Sequence, residues 1–76
     1  MNKQRRNRIE KAGRMLEELM EEINAIQEEE QEAYDNMPEG LQESERGVAM
    51  YNAAEALADA VTVLEDANEL LMEAMG

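Results

Sequence analysis

The residues best placed to do chemistry in this chain are carboxylates. Glu17, Glu18 and Glu21 stand in a Glu-Glu-x-x-Glu pattern, which on a helix turns two carboxyl groups onto neighbouring positions of one face, as a hard divalent cation requires. A magnesium cage needs a second set of oxygens on a facing element. Glu32-x-x-Asp35 lies further along the same helical stretch and does not face the first set. Nucleophilic catalysis is no better served, because the chain has no Cys and no His, leaving Ser44 and Thr62 without a base. A di-iron bundle would need Glu-x-x-His. The glycines, Gly13, Gly40, Gly47 and Gly76, are scattered rather than gathered into a phosphate-binding loop. Tyr34 and Tyr51 are the only aromatics, too few for a platform on which bases stack or for a wide ligand pocket. What remains is binding. The expectation is a non-enzymatic protein with no cofactor and no metal.

The elements that would carry such a surface can be read from apolar spacing. A chain of 76 residues makes one domain, and a core that small is marginal on its own. Without cysteine for disulfides or histidine for a soft metal, oligomerisation is the remaining source of stability. From Ile9 onward the apolar positions follow a heptad, with Ile9, Leu16, Ile23 and Met37 on one row and Ala12, Leu19, Ile26 and Ala33 on a second. Glu30 interrupts the first row, which suggests a wet end to the seam. Asp35-Asn36-Met37-Pro38-Glu39-Gly40 reads as a turn, since the residue before proline is driven out of α geometry. Pro38 can open a short helical turn through Leu41, with Leu41 plugging the end of the bundle. Ser44 is the expected N-cap of a second long helix, with Glu45 suited to its positive end.

In the second helix Met50, Leu57, Leu64 and Leu71 form one row and Ala54, Val61, Asn68 and Met75 the other, with Asn68 a device for fixing register or a tolerated polar residue. Beside them runs a third row, Ala53, Ala60, Ala67 and Ala74, while Tyr51, Ala58 and Met72 widen the other flank. That stripe is too broad for one neighbour. The spacing therefore predicts an all-α helical hairpin over residues 1–76, with helices at about 3–36 and 45–75 and a linker at 37–44, dimerising into a four-helix bundle. The core and dimer seam would be built by Leu16, Leu19, Ile23, Ile26, Ala53, Leu57, Ala60, Val61, Leu64, Ala67 and Leu71. The seven methionines fit as adaptable filler at helical spacing.

Charge is the other strong signal. The net charge is −12, yet Lys3, Arg5, Arg6, Arg8, Lys11 and Arg14 crowd the first 14 residues. Basic side chains in the first turns of a helix oppose its dipole. Either they pair across the hairpin with Glu65, Asp66, Glu69 and Glu73, or Lys3, Arg5, Arg6 and Arg8 belong to a basic arm that contacts phosphate. The acidic remainder is a solvated face, or a rod of carboxylates, Glu17, Glu21 and Glu28 among them, that imitates a nucleic-acid backbone. No apolar run is long enough to cross a membrane, and the absence of cysteine fits a reducing cytoplasm.

Two resemblances add to this reading. Glu17-Glu18-x-x-Glu21 is similar to the first motif of the all-α nucleotide pyrophosphohydrolases of the MazG type, which implies magnesium on a four-helix bundle. The second half of that motif, however, should come from a facing helix, where Glu55 and Asp59 fall at the wrong interval, so the cage is not expected to assemble. The segment Met37-Pro38-Glu39-Gly40-Leu41-Gln42-Glu43-Ser44-Glu45-Arg46-Gly47, with Ala54-Glu55-Ala56-Leu57 and Val63-Leu64-Glu65, resembles small helical-hairpin proteins of phages and mobile elements of Gram-positive bacteria. That resemblance covers about half the chain and implies a virus–host setting, in which small acidic proteins block a host protein such as a restriction or CRISPR nuclease. Two functions compete. One is a dimeric interaction module that docks on a protein partner through its outer face or through Leu41, Arg46 and Tyr51; the other is a nucleic-acid mimic, with DNA contact through the basic arm as a third possibility.

Overall fold

The first long helix, α1 (Lys3–Asp35), begins where Asn2, in extended backbone, turns its Oδ1 onto the Arg5 N–H at 2.8 Å. That bond satisfies one of the amide donors a helix start leaves orphaned. The computed structural model describes all residues 1–76, and 89% of them are helical with no strands. α1 stops at the Asn36 C-cap, after which Pro38 sets up a single turn, α2 (Glu39–Gln42), closed by Leu41 and Gln42 amide bonds to the Pro38 carbonyl. Proline suits that position because it has no amide hydrogen to leave unpaired. Gln42 then ties the linker back to α1, its Nε2 donating to the Tyr34 carbonyl at 2.9 Å.

Ser44 opens the second long helix, α3 (Glu45–Met75). Its Oγ accepts from the Gly47 N–H at 3.2 Å and donates to the Leu41 carbonyl, so one hydroxyl joins the end of α2 to the start of α3. Ser44→Ala should therefore cost about 1–2 kcal/mol of unfolding free energy. A urea midpoint by circular dichroism that does not move would show the cap to be idle.

α1 and α3 run antiparallel along one another in a rod measuring 58 × 15 × 12 Å. Its radius of gyration is 17.2 Å, against ~11 Å for a compact globule of this length. The difference has an energetic consequence: one helix–helix seam is all this shape can cover. Only Gly47, Ala54 and Val61 are buried, and every large apolar side chain keeps some contact with solvent.

The seam on α3 consists of Gly47, Ala54, Val61, Asn68 and Met75 with Met50, Leu57, Leu64 and Leu71, all buried or half-buried. On α1 the row Ile9, Leu16, Ile23 and Glu30 is half-buried too, but its companion row differs from the spacing-based expectation. Gly13, Met20, Gln27 and Tyr34 face α3, whereas Leu19 is 47% and Ile26 42% exposed and Ala33 is exposed. The two rows lie three and four residues on from Ile9 and Leu16, one on each side, so spacing alone leaves the handedness of the seam open. The hairpin resolves it by turning its polar positions inward near the linker, where Gln27, Glu30 and Gln31 are partly covered.

Leu41 also departs from expectation. It is 53% exposed and does not plug the end of the rod. Two aromatic rings close that end, Tyr34 and Tyr51 packing with centroids 5.6 Å apart and planes inclined by 59°. Such tilted pairs are favoured by the opposite charges of ring edge and ring face.

Candidate interaction surfaces

What the seam leaves uncovered is as ordered as what it covers. Along α3 a second apolar register runs beside the first, Ala49, Ala53, Ala56, Ala60, Val63, Ala67, Leu70 and Ala74, alternating steps of four and three residues without a polar interruption. Ala60 and Ala67 are half-buried at its inner edge. The remaining six are exposed, with Val63 and Leu70 each 64% open. On α1 the corresponding register holds Ala12, Met15, Leu19, Ile26 and Ala33, interrupted by Glu22 and Glu29, and of these only Ala12 is half-buried.

These two registers share one side of the hairpin. Each lies ~100°, one residue's rotation, from the covered seam and in the same rotational sense along its own helix. Because the helices are antiparallel, equal rotations bring both registers out on the same face. The opposite face confirms the assignment: Glu10, Arg14 and Glu17 of α1 line a shallow cleft together with Met72 of α3. That second face carries Glu10, Arg14, Glu17, Glu21, Asn24, Glu28, Gln31 and Asp35 from α1, with no apolar residue among them. From α3 it receives Glu55, Glu65 and Glu69, interspersed with Val48, Tyr51, Ala58, Thr62 and Met72. The hairpin thus has one greasy face and one acidic face, which composition alone does not reveal.

The residues expected to form the core and dimer seam accordingly divide. Leu16, Ile23, Leu57, Val61, Leu64 and Leu71 lie between the helices, Leu19, Ile26 and Ala53 lie on the open apolar face, and Ala60 and Ala67 sit at the boundary. Val63, Leu70, Ala49 and Ala56 were not singled out by the sequence reading, although counting onward from Ala49 in sevens finds all four. Gly47 was also missed as a structural residue; its role depends on the linker carbonyls, which leave no trace in spacing.

At the linker end Tyr34, Gln42, Glu43, Val48 and Tyr51 outline an open groove, with Arg46 and Leu41 exposed nearby. At the other end the basic residues are not a separate arm, since Lys3, Arg5, Arg6 and Arg8 form the first turns of the capped helix α1. Arg6 Nη2 donates to the Met75 carbonyl at 2.6 Å, so a guanidinium reaches the final turn of α3. The negative end of the α3 dipole offsets there the unfavourable placement of cations at the start of α1. This backbone cap, rather than one of the expected carboxylate pairs, is the hydrogen bond that ties the two helix ends together. Arg14 lines the cleft beside Asn68, and Arg5 and Arg8 flank Ile9 and Ala12 on the greasy side.

No group of three or more acidic side chains gathers as a metal site. No helix is long and apolar enough to cross a membrane. The chain matches no protein-family model, no curated protein and no solved structure.

Proposed function

We propose that this chain is a non-enzymatic, acidic helical interaction module that works as a homodimer, two hairpins closing their greasy faces into a four-helix bundle, and docks on a protein partner through its linker end. One observation carries the reading. Met15, Leu19, Ile26, Val63 and Leu70, between 42% and 64% exposed, lie on a single face of a rod that buries only three residues by itself. Large exposed apolar side chains gathered on one face mark interaction surfaces. The setting that fits is the interior of a bacterial cell, and the resemblance to phage hairpin proteins makes a host protein the natural target for inhibition.

Docking at the linker end is supported by its uncovered side chains. Leu41 and Tyr51 are about half exposed, and they flank a groove whose aromatic floor is held in place by the Gln42 bond to Tyr34. Tyrosine anchors of this kind supply binding energy at little entropic cost. A tagged chain should accordingly retain a host protein from a bacterial lysate in a manner tolerant of salt. That protein should be lost on Leu41→Asp with Tyr51→Ala, while Glu17→Lys with Glu21→Lys and Glu28→Lys should leave it bound.

The acidic face favours a second reading, a nucleic-acid mimic that occupies the DNA site of a defence enzyme. Glu17, Glu21 and Glu28 share one face of α1, and Glu55, Glu65 and Glu69 run beside them on α3. In this case the sensitivities invert. The triple charge reversal would abolish capture, duplex DNA would compete for the captured enzyme, and binding would fall steeply as salt rises.

A further inference from the structure

We infer that the second occupant of the greasy face is another copy of this chain lying head to tail, with the two linkers at opposite ends of the bundle. This deepens the homodimer reading and rests on it. The direction of pairing follows from where charge lies along the rod. The linker end, residues 28–50, carries eight acidic side chains against Arg46 alone. At the other end, residues 1–14 and 65–76 together hold six basic side chains against five acidic ones. Stacking two copies with linkers together would superpose the two acidic ends. Reversing one copy sets each acidic end against a nearly neutral end rich in arginine, which is the arrangement Coulomb forces select.

Side-chain sizes along the face agree with the same direction. Across the hairpin Gly13 lies beside Asn68, Arg6 reaches Met75 and Tyr34 packs on Tyr51. Leu19, at the midpoint of α1, is therefore level with Val63 on α3. A two-fold axis through that level places each α1 against its own copy, antiparallel, and each α3 likewise. Leu19 then meets Leu19 of the second copy, and seven residues to either side Ala12 meets Ile26. One turn further out Arg8 comes within one residue of the level of Glu29, and between these pairs Met15 lies near Glu22. On α3, Val63 meets its counterpart, Ala60 meets Ala67, and Leu70 fits over Ala56. Ala12 against Ile26 and Ala56 against Leu70 set small side chains against large ones, as close helix packing favours, while Leu19 and Val63 meet their own counterparts at the centre. With linkers at the same end, Glu29 would instead lie on the alanine row near Ala53, where no cation is available. The face follows the rod's 58 Å length and 15 Å width, on the scale of the ~800 Å² per partner that stable complexes bury.

The test uses the full chain, which contains no cysteine of its own. Gly40→Cys is a benign labelling site, since nothing lies within 4 Å of a side chain added there. With a nitroxide at that position, the distance between spins in the dimer should approach the rod's 58 Å length; the linkers-together arrangement gives ~20 Å, the breadth of two helix layers. In parallel, Arg8→Cys combined with Glu29→Cys should oxidise to a covalent dimer. The two positions are ~31 Å apart on one helix, far beyond the ~7 Å limit for a disulfide within a chain. A short spin distance with no cross-link would overturn the pairing direction and leave the dimer standing. Loss of both signals, no dipolar coupling and no cross-link, would instead show a monomer and remove the reading beneath it.

Discussion

Placing a carboxylate at the centre of the greasy face, by Leu19→Glu together with Val63→Glu, is expected to weaken self-association at least about 1,000-fold, or ~4 kcal/mol. The magnitude follows from what would be buried. Each dimer would hold four carboxylates without partners, and an uncompensated buried charge costs several kcal/mol. Sedimentation should therefore find the variant monomeric at concentrations where the parent chain is a dimer. A second consequence separates this from a mere surface effect. The isolated hairpin buries Gly47, Ala54 and Val61 and no large side chain fully, so its helices gain little from tertiary packing, which is where most helix stability in proteins originates. The dissociated variant should lose much of its helical circular dichroism, and the parent's melting temperature should rise with protein concentration. Ala58→Lys, on the opposite face, supplies the control and should change neither property. A parent chain that sediments as a well-folded monomer, melting at the same temperature at every concentration, would refute the dimer.

How much of this was legible in the residues follows from what periodicity can and cannot encode. Seven-residue spacing makes α3 readable from end to end, because Met50, Leu57, Leu64 and Leu71 recur with Ala54 and Val61 between them and no proline or glycine interrupts after Gly47. Local chemistry likewise announces the turn: Pro38 excludes α geometry before it, and Ser44 offers the side-chain oxygen that orphaned amides need. α1 is harder to read. Its apolar rows at Leu19 and Ile26 and its mixed row at Met20, Gln27 and Tyr34 flank Leu16 and Ile23 symmetrically, and only the antiparallel partner decides which is covered. Hydrophobicity argued for the first row, and the hairpin uses the second. If the greasy face is shared with a second copy, both rows are satisfied at once, and the misreading amounts to assigning an intermolecular surface to the intramolecular seam. The linker end was opaque for a different reason. The fit of Gly47 beneath the α2 carbonyls, and the packing of Tyr34 on Tyr51, depend on tertiary distances that spacing does not encode.

The glycines supply the other large effect, because helix propensity and sterics predict opposite signs at Gly47. Alanine is favoured over glycine in a helix by about 1 kcal/mol, so at an unconstrained site Gly→Ala stabilises. Gly40 is such a site, with open space around it, and Gly40→Ala should raise the urea midpoint modestly. At Gly13 an added Cβ would meet the Asn68 Oδ1 at 3.1 Å. That atom is the tip of a side chain that can rotate aside, so gain and crowding should nearly cancel. Gly47 is different. Its Cβ would fall within clashing distance of the backbone carbonyl oxygens of both Leu41 and Gln42, and neither can move without shifting α2. α2 in turn is anchored, by the Ser44 hydroxyl to the Leu41 carbonyl and by the Gln42 side chain to α1. Overpacking against an anchored backbone costs about 1–3 kcal/mol. Gly47→Ala should therefore be destabilising by up to ~2 kcal/mol net of the propensity gain, and Gly47→Val by more, since β-branching adds volume and lowers propensity. Denaturant titrations of the three alanine variants at one fixed protein concentration should rank Gly40 above Gly13 above Gly47. If Gly47→Ala proved as stable as Gly40→Ala, the close approach of the linker to the first turn of α3 would be wrong. The aromatic floor that the linker holds in place would lose its structural basis with it.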